Sequence, residues 1–226
     1  MTRTDWTPRS RSAIAARVAE DIPEGWYVNL GIGVPTLVAD RVPEGREVIF
    51  HAENGILGIG PAPDPAAVER WLVNAGKQHV TLLPGGCYFH HADSFGMIRG
   101  RHLDLCVLGA YEVSAAGDLA NWARSVGDTA PAVGGAMDLA IGAQRVWIAM
   151  EHVTRKGAPR LVERCSYPLT SPGCVKRIYT DLAVIDVTPR GFEVRDMVPG
   201  LTLAALQDMT DAPLALAVAP DALRMG

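Results

Sequence analysis

The chain has 226 residues, 48% of them apolar, with 25 acidic against 21 basic side chains and a net charge of −4. That length carries one large domain or two small ones with a packed core, and the interspersed charge excludes the basic stripe of a nucleic-acid-binding protein. Residues 1–12 are polar and no apolar run reaches the length of a membrane span, so neither a secretory signal nor membrane attachment is expected, and the expected location is the cytoplasm.

In chain order, a helix is expected over residues 10–21, capped by Ser10 or Ser12, with Ile14, Ala15, Val18 and Ala19 as its apolar stripe. Pro23-Glu24-Gly25 breaks it, and residues 26–32 read as a buried strand. Gly31-Ile32-Gly33 then turns the chain into a second helix with Pro35 in its first turn. Residues 48–51 form the next strand, and the Gly/Pro-rich stretch 58–65 reads as a loop near the active centre. Core strands are expected at 79–83, 103–108 and 144–150. Residues 111–119 read as a hairpin around Ala115-Ala116-Gly117-Asp118. Residues 174–187 read as a helix-like start followed by a strand at 182–187, with 191–196 paired beside it. A short amphipathic helix follows at 202–209, and the tail beyond Pro213 carries no clear pattern. Strands alternating with helices predict an α/β fold: an open, mostly parallel sheet flanked by helices, formed by residues 1–226 as a single domain with short terminal tails.

Several motifs bear on chemistry. Phe50-His51-Ala52-Glu53-Asn54-Gly55-Ile56-Leu57-Gly58 places a carboxylate at the end of a strand, directly before an Asn-Gly turn. Such a position projects from the sheet edge where α/β proteins bind ligands, and a glutamate held there among apolar neighbours can act as a nucleophile. A solvated Glu on a surface hairpin is the simpler reading of these nine residues alone. Gly134-Gly135 opens an apolar helix, as a backbone oxyanion donor or as plain close packing would. Gly31-Ile32-Gly33 has Thr36 where a dinucleotide loop has its third glycine, so no nicotinamide cofactor is expected. His90-His91 with Asp93 suggests a metal at first sight. Adjacent histidines diverge, however, and no third ligand stands at a usual spacing, so no metal is expected. Cys87, Cys106, Cys165 and Cys174 lack CxxC spacing and read as reduced, mostly buried thiols. His51 could tune Glu53 if the two touch, and Arg99 and Arg101 read as solvated.

The Glu53 segment resembles the glutamate signature of the family I CoA-transferases, in their B (β) subunit, with Ala52 standing where the family usually has serine. Matching segments run the length of the chain: Asn29-Leu30-Gly31-Ile32-Gly33-Val34-Pro35-Thr36, Asn74-Ala75-Gly76-Lys77-Gln78, Met97-Ile98-Arg99-Gly100, Gly117-Asp118-Leu119-Ala120-Asn121-Trp122, Gly134-Gly135-Ala136-Met137-Asp138-Leu139, Ala149-Met150-Glu151-His152, Pro168-Leu169-Thr170 and Thr180-Asp181-Leu182-Ala183-Val184. Phe89-His90-His91-Ala92-Asp93-Ser94-Phe95 and Pro131-Ala132-Val133-Gly134-Gly135 look like the branch of the family that acts on 3-oxoadipate.

The resemblance implies the fold shared with sugar-phosphate isomerases and a transfer of CoA from succinyl-CoA to 3-oxoadipate in aromatic-compound breakdown. Acetoacetate or another short 3-oxoacid is the alternative acceptor, and a non-catalytic regulatory or binding subunit is the rival of another class. Glu53 would be the nucleophile that carries CoA as a glutamyl thioester, and the amide of Gly135, preceded by Gly134, would stabilise the oxyanion. Asn54, Gly31 and Gly33 would line the substrate cleft. His90 and His91 are candidates beside the acceptor's distal carboxylate, with an ordinary polar loop as the competing reading. No cofactor would be permanently bound, coenzyme A serving as substrate and covalent intermediate. The partner would be an A (α) subunit, in a heterotetramer with two copies of each chain.

Overall fold

The computed structural model describes residues 6–125 and 133–217. Helix α1 (Arg11–Asp21) opens the fold. The Ser10 side chain accepts a hydrogen bond from the Ala13 N–H at 3.2 Å, the cap expected of a serine at this position. Ile14, Ala15, Val18 and Ala19 form its buried face. Strand β1 (Tyr27–Leu30) leads into a 3-10 helix, Val34–Arg41, which is the expected second helix in a tighter form with Pro35 in its first turn. Next come β2 (Ile49–Ala52), β3 (Ile56–Ile59), β4 (Leu82–Tyr88) and α2 (His91–Arg99). Then follow β5 (Leu105–Leu108), β6 (Glu112–Ser114), β7 (Leu119–Ala120), α3 (Ala136–Gly142) and β8 (Val146–Ala149). The described chain finishes with β9 (Leu161–Val162), β10 (Val175–Tyr179), β11 (Ala183–Thr188), β12 (Gly191–Met197), α4 (Leu203–Gln207) and β13 (Leu214–Leu216).

Ten strands form one sheet in the order β13-β12-β11-β10-β8-β5-β1-β2-β3-β4. Its centre, β10-β8-β5-β1-β2, is parallel, and antiparallel pairs extend it on both sides. A small sheet, β7-β6-β9, follows on from β5. The parallel strands are buried on both faces. Leu105 and Val107 of β5 join Val28, Phe50 and the α1 stripe in one core, while Cys106 and Leu108 join Ile98, Leu139 and Ile148 in the other. This two-sided burial is why these strands read as unbroken apolar runs.

Three expectations are corrected. The strand expected at 79–83 instead runs Leu82–Tyr88, and His79 makes only an isolated bridge to Val73. Pro84-Gly85-Gly86 looks like a chain break, but β4 is an edge strand, where a missing N–H costs no ladder bond. A Cβ on Gly86 would meet the Leu57 carbonyl oxygen at 2.9 Å, so glycine there lets β4 close onto β3. The loop expected from residue 58 begins later, because Gly58 and Ile59 belong to β3. The helix-like start of 174–187 is strand β10. Val175, Ile178 and Tyr179 are its buried residues, and its Arg177 side chain is held by Asp186 at 2.6 Å and Asp21 at 3.2 Å. The tail beyond Pro213 contributes β13 beside β12.

Helix α3 lies directly against α2. A Cβ on Gly142 would collide with the Ile98 carbonyl, coming within 2.8 Å of its carbon. Gly142→Ala should therefore push the two helices apart and destabilise the protein by about 1–3 kcal/mol, the usual cost of overpacking. A thermal melt should show a fall of roughly 2–4 °C per kcal/mol in a chain of this size. An unchanged melting temperature would mean that the helix contact is not tight.

Candidate active site

The candidate nucleophile stands at the carboxyl end of β2. Ala52 pairs with Ile56, so β2 and β3 are joined by Glu53-Asn54-Gly55 alone. The Gly55 N–H donates to the Ala52 carbonyl at 3.0 Å, and Gly55 adopts φ 108°, as the last residue of a three-residue hairpin loop requires. The Gly55 carbonyl accepts from Phe89 N–H at 3.0 Å, and a Cβ at this position would strike the Phe89 carbonyl. Asn54 Nδ2 donates to the Val73 carbonyl at 2.8 Å, which fastens the neighbouring segment to the turn. The hairpin of the simpler sequence reading is thus real, but its glutamate is half-buried, not solvated.

Two helices frame Glu53. The turn before α3 brings Gly135 so close that a Cβ there would lie 2.6 Å from Glu53 Oε2 and 3.1 Å from Cδ. The same Cβ would sit 3.2 Å from Cζ of Phe95, so Gly135 occupies a gap between the carboxylate and an aromatic ring that only hydrogen fits. From α2, His91 Nδ1 lies 3.1 Å from the Glu53 carbonyl oxygen, and its ring packs 4.8 Å from that of Phe95. Arg99 and Asp138 join the two helices through a 2.8 Å ion pair, so Arg99 is engaged and not merely solvated. Burial raises the Glu53 carboxyl above the usual range for Glu; nearby His91 opposes that shift and Asp138 adds to it.

His51 does not tune Glu53 directly. Asn29 Nδ2 donates to His51 Nδ1 at 3.1 Å and also to the His51 carbonyl at 3.2 Å. The proton therefore sits on Nε2, which donates to Ser94 Oγ at 2.9 Å. Cys106 Sγ completes the chain on Asn29 Oδ1 at 3.9 Å. Burial lowers His51 to about 4, so it stays neutral. This uncharged relay fastens α2, and with it His91 and Phe95, to the strand that carries Glu53.

The structure thus brings together Glu53, Gly135 and His91, with Asn54 bracing the turn and Gly134 preceding the contact at φ 49°. The other candidates do not join them. His90 caps α2, its Nδ1 accepting from Ala92 N–H at 3.1 Å, so its ring is committed to the helix start. The Gly31 N–H donates to Val107 at 2.8 Å, and a Cβ there would press on Leu108 at 3.0 Å, which makes Gly31 a contact between β1 and β5. Gly33 lines a separate cleft of about 320 Å³ with Arg11, Ile32 and Gly76. Phe95, Ser94 and Asp138 stand in matching segments but were given no role there. The i,i+4 spacing of His91 and Phe95 was the available signal for one of them.

The comparisons with known proteins bear on this arrangement. The family model described as coenzyme A transferase matches residues 11–208. The chain belongs to the coenzyme A transferase family. Among its relatives is the B (β) chain of the 3-oxoadipate CoA-transferase of Acinetobacter baylyi, 54% identical over 91% of this chain and 94% of that protein. The Pseudomonas putida protein of the same name is 56% identical over 91% of this chain and 96% of that one. Among solved structures, the acyl-CoA transferase YdiF of Escherichia coli O157:H7 superposes with a TM-score of 0.70 at 16% identity. The match covers 95% of this CoA-transferase chain and 43% of that one, and at that identity it speaks for the fold alone. Among the described residues no helix is long and apolar enough to cross a membrane.

The raised Glu53 carboxyl has a consequence for stability. A glutamate ordinarily titrates near 4.5, and a folded-state value above that means the folded chain holds the proton more tightly than the unfolded one. The resulting stabilisation is complete below the ordinary value and is lost as pH rises through the folded-state value. Glu53→Gln should therefore melt at a higher temperature than wild type at about pH 8, with the gain shrinking as pH is lowered toward the ordinary range. Calorimetry of both proteins across pH checks this, and a lower melting temperature for Glu53→Gln at high pH would contradict it.

Proposed function

We propose that this chain is the B half of a two-subunit enzyme that moves CoA from succinyl-CoA to 3-oxoadipate, with Glu53 as the carrier. The observation that carries the reading is the half-buried Glu53 carboxylate at the carboxyl edge of the parallel sheet, pressed against a glycine that leaves room for nothing larger than hydrogen. Glu53 attacks the succinyl thioester carbonyl, expelling CoA thiolate and forming a succinyl–glutamyl anhydride. The thiolate attacks the glutamyl carbon, releasing succinate and leaving γ-glutamyl-CoA. The 3-oxoadipate carboxylate then attacks that thioester, and the freed thiolate takes the 3-oxoadipyl group from the second anhydride, restoring the Glu53 carboxylate. No step spends the thioester's free energy by hydrolysis. Acylation also discharges a carboxylate that burial disfavours as an anion, so the site's desolvation favours the covalent states.

Each attack builds an oxyanion beside Gly135. The backbone can approach there without an intervening Cβ, which supports its N–H as the stabilising donor. The substrate assignment draws on the two relatives named for 3-oxoadipate, at 54% and 56% identity. A Helicobacter pylori relative, named as the B (β) chain of a succinyl-CoA:3-ketoacid coenzyme A transferase, stands at 46%. All three are named as one subunit of their enzyme, which supports an A (α) subunit as partner. The reading further takes the assembly to be a heterotetramer, the site to be in the cytoplasm, and CoA to be the substrate and covalent intermediate with no resident cofactor.

Acyl-CoA given to the assembled enzyme should leave CoA on the peptide containing Glu53, where borohydride traps it. An adduct on another residue, or full turnover by Glu53→Ala, would sink the mechanism. Glu53→Asp should lose on the order of 10²-fold in rate, because a side chain one methylene shorter misplaces the attacking oxygen by about 1 Å.

The purified chain should transfer CoA poorly until the α partner is added. Activity and light scattering should rise together to a species with two copies of each chain. Undiminished transfer by the chain alone would refute the two-subunit reading.

A further inference from the structure

The two histidines at the start of α2 have different fates. His90 spends its Nδ1 lone pair on the Ala92 N–H. His91 faces the Glu53 carbonyl oxygen through Nδ1 at 3.1 Å. A carbonyl oxygen only accepts, so the His91 proton sits on Nδ1, and in the neutral ring Nε2 is a bare acceptor. The ring can donate through Nε2 only after gaining a second proton. His91 is exposed and rests on Phe95, whose ring reaches Gly135 beside the Glu53 carboxylate. The charged groups of the packed elements are Glu53 itself, Asp93 two residues along in the first turn of α2, and Arg99 and Asp138, which pair with each other across α2 and α3. A second anionic group entering beside Glu53 therefore meets carboxylates and a spent arginine, and His91, which already opposes the raising of Glu53, is a side chain there that can present positive charge.

We propose that His91 is the specificity-determining donor for the distal carboxylate of a dicarboxylic acyl group, and that it binds this carboxylate as an imidazolium donating from Nε2. The inference rests on the CoA-transfer reading with Glu53 as carrier. Because His91 is tethered to the Glu53 backbone, the spacing between the recognising ring and the reacting carboxylate is fixed by one hydrogen bond. A monocarboxylic 3-oxoacid offers the ring nothing.

The test uses the assembled enzyme. In a ping-pong reaction kcat/KM for the acceptor reports only the encounter of the thioester enzyme with that acceptor. The ratio of kcat/KM for 3-oxoadipate over acetoacetate therefore cancels whatever Glu53 contributes to both. In wild type this ratio should fall as pH rises through the range in which histidines lose their charge, about pH 5 to 8. His91→Ala should lower the ratio at least about tenfold at the acid end, the worth of one charge-assisted hydrogen bond, and flatten its pH dependence. His91→Gln, which keeps a neutral donor, should give an intermediate ratio that no longer varies with pH. His90→Asn, which keeps the helix cap, should retain the wild-type ratio and its pH trend. CoA loading of Glu53 from acetoacetyl-CoA reports that His91→Ala is folded, and where it fails to load, His91→Gln decides. A ratio unmoved in His91→Ala, or a wild-type pH trend in His91→Gln, overturns the inference while the CoA-transfer reading stands. If the wild-type enzyme passes CoA to neither acid, that reading fails and the inference falls with it.

Discussion

Everything in this site depends on the contact between Glu53 and Gly135. A carboxylate oxygen lies 2.6 Å from where the Cβ of any other residue would be. Two parts of the chain meet there that are far apart in sequence: the turn after β2 and the turn before α3. The contact requires a sheet that holds β2 beside β1, a helix pair seated on that sheet, and a turn that fixes the Glu53 backbone. The turn and the helix pair are held by local devices. Gly55 closes the hairpin at positive φ, Gly142 lets α3 pack against α2, and the Arg99–Asp138 pair spans the two helices.

The buried relay Cys106–Asn29–His51–Ser94 serves the same end by another means. It runs from β5 through β1 and β2 into α2, the elements whose relative placement decides where Glu53 and His91 stand. Its members are uncharged, so it positions without adding a field of its own. A charged histidine here would place an N–H against the Asn29 amide donor and lose that bond, which is consistent with burial holding His51 at about 4. The Glu53 carboxylate, by contrast, is left in a less favourable electrostatic setting, raised by burial and by Asp138. Neutral groups carry the architecture of this relay, and the disfavoured charge falls on Glu53, the carrier proposed above.

The sequence by itself determined much. The 3.6-residue stripe of α1 and its serine cap, the apolar runs of β5 and β8, the Gly117 hairpin and the helix after Gly135 are all local patterns, each stabilised by residues close to one another along the chain. The same holds for Glu53 at a strand end before Asn-Gly, since turn chemistry is a property of a few consecutive residues. Family membership was legible for a related reason: many short segments recur in order, and order needs no coordinates.

Only the tertiary structure decided the rest. That β4 continues through Pro84-Gly85-Gly86 follows from its place at the sheet edge and its close passage over Leu57. That residues 175–179 extend as a strand follows from a slot between β8 and β11, with Arg177 matched by aspartates from α1 and β11. Two adjacent histidines looked equivalent in sequence, yet one became a helix cap and the other a neighbour of Glu53, because His90 is the extended residue ahead of α2 and turns its ring back onto the Ala92 N–H, while His91 is the first helical residue. Gly31 and Gly135 likewise looked alike as glycine turns. One proved to be a strand contact and the other the wall of the site, because what a missing Cβ makes room for is set by whichever distant segment packs against it.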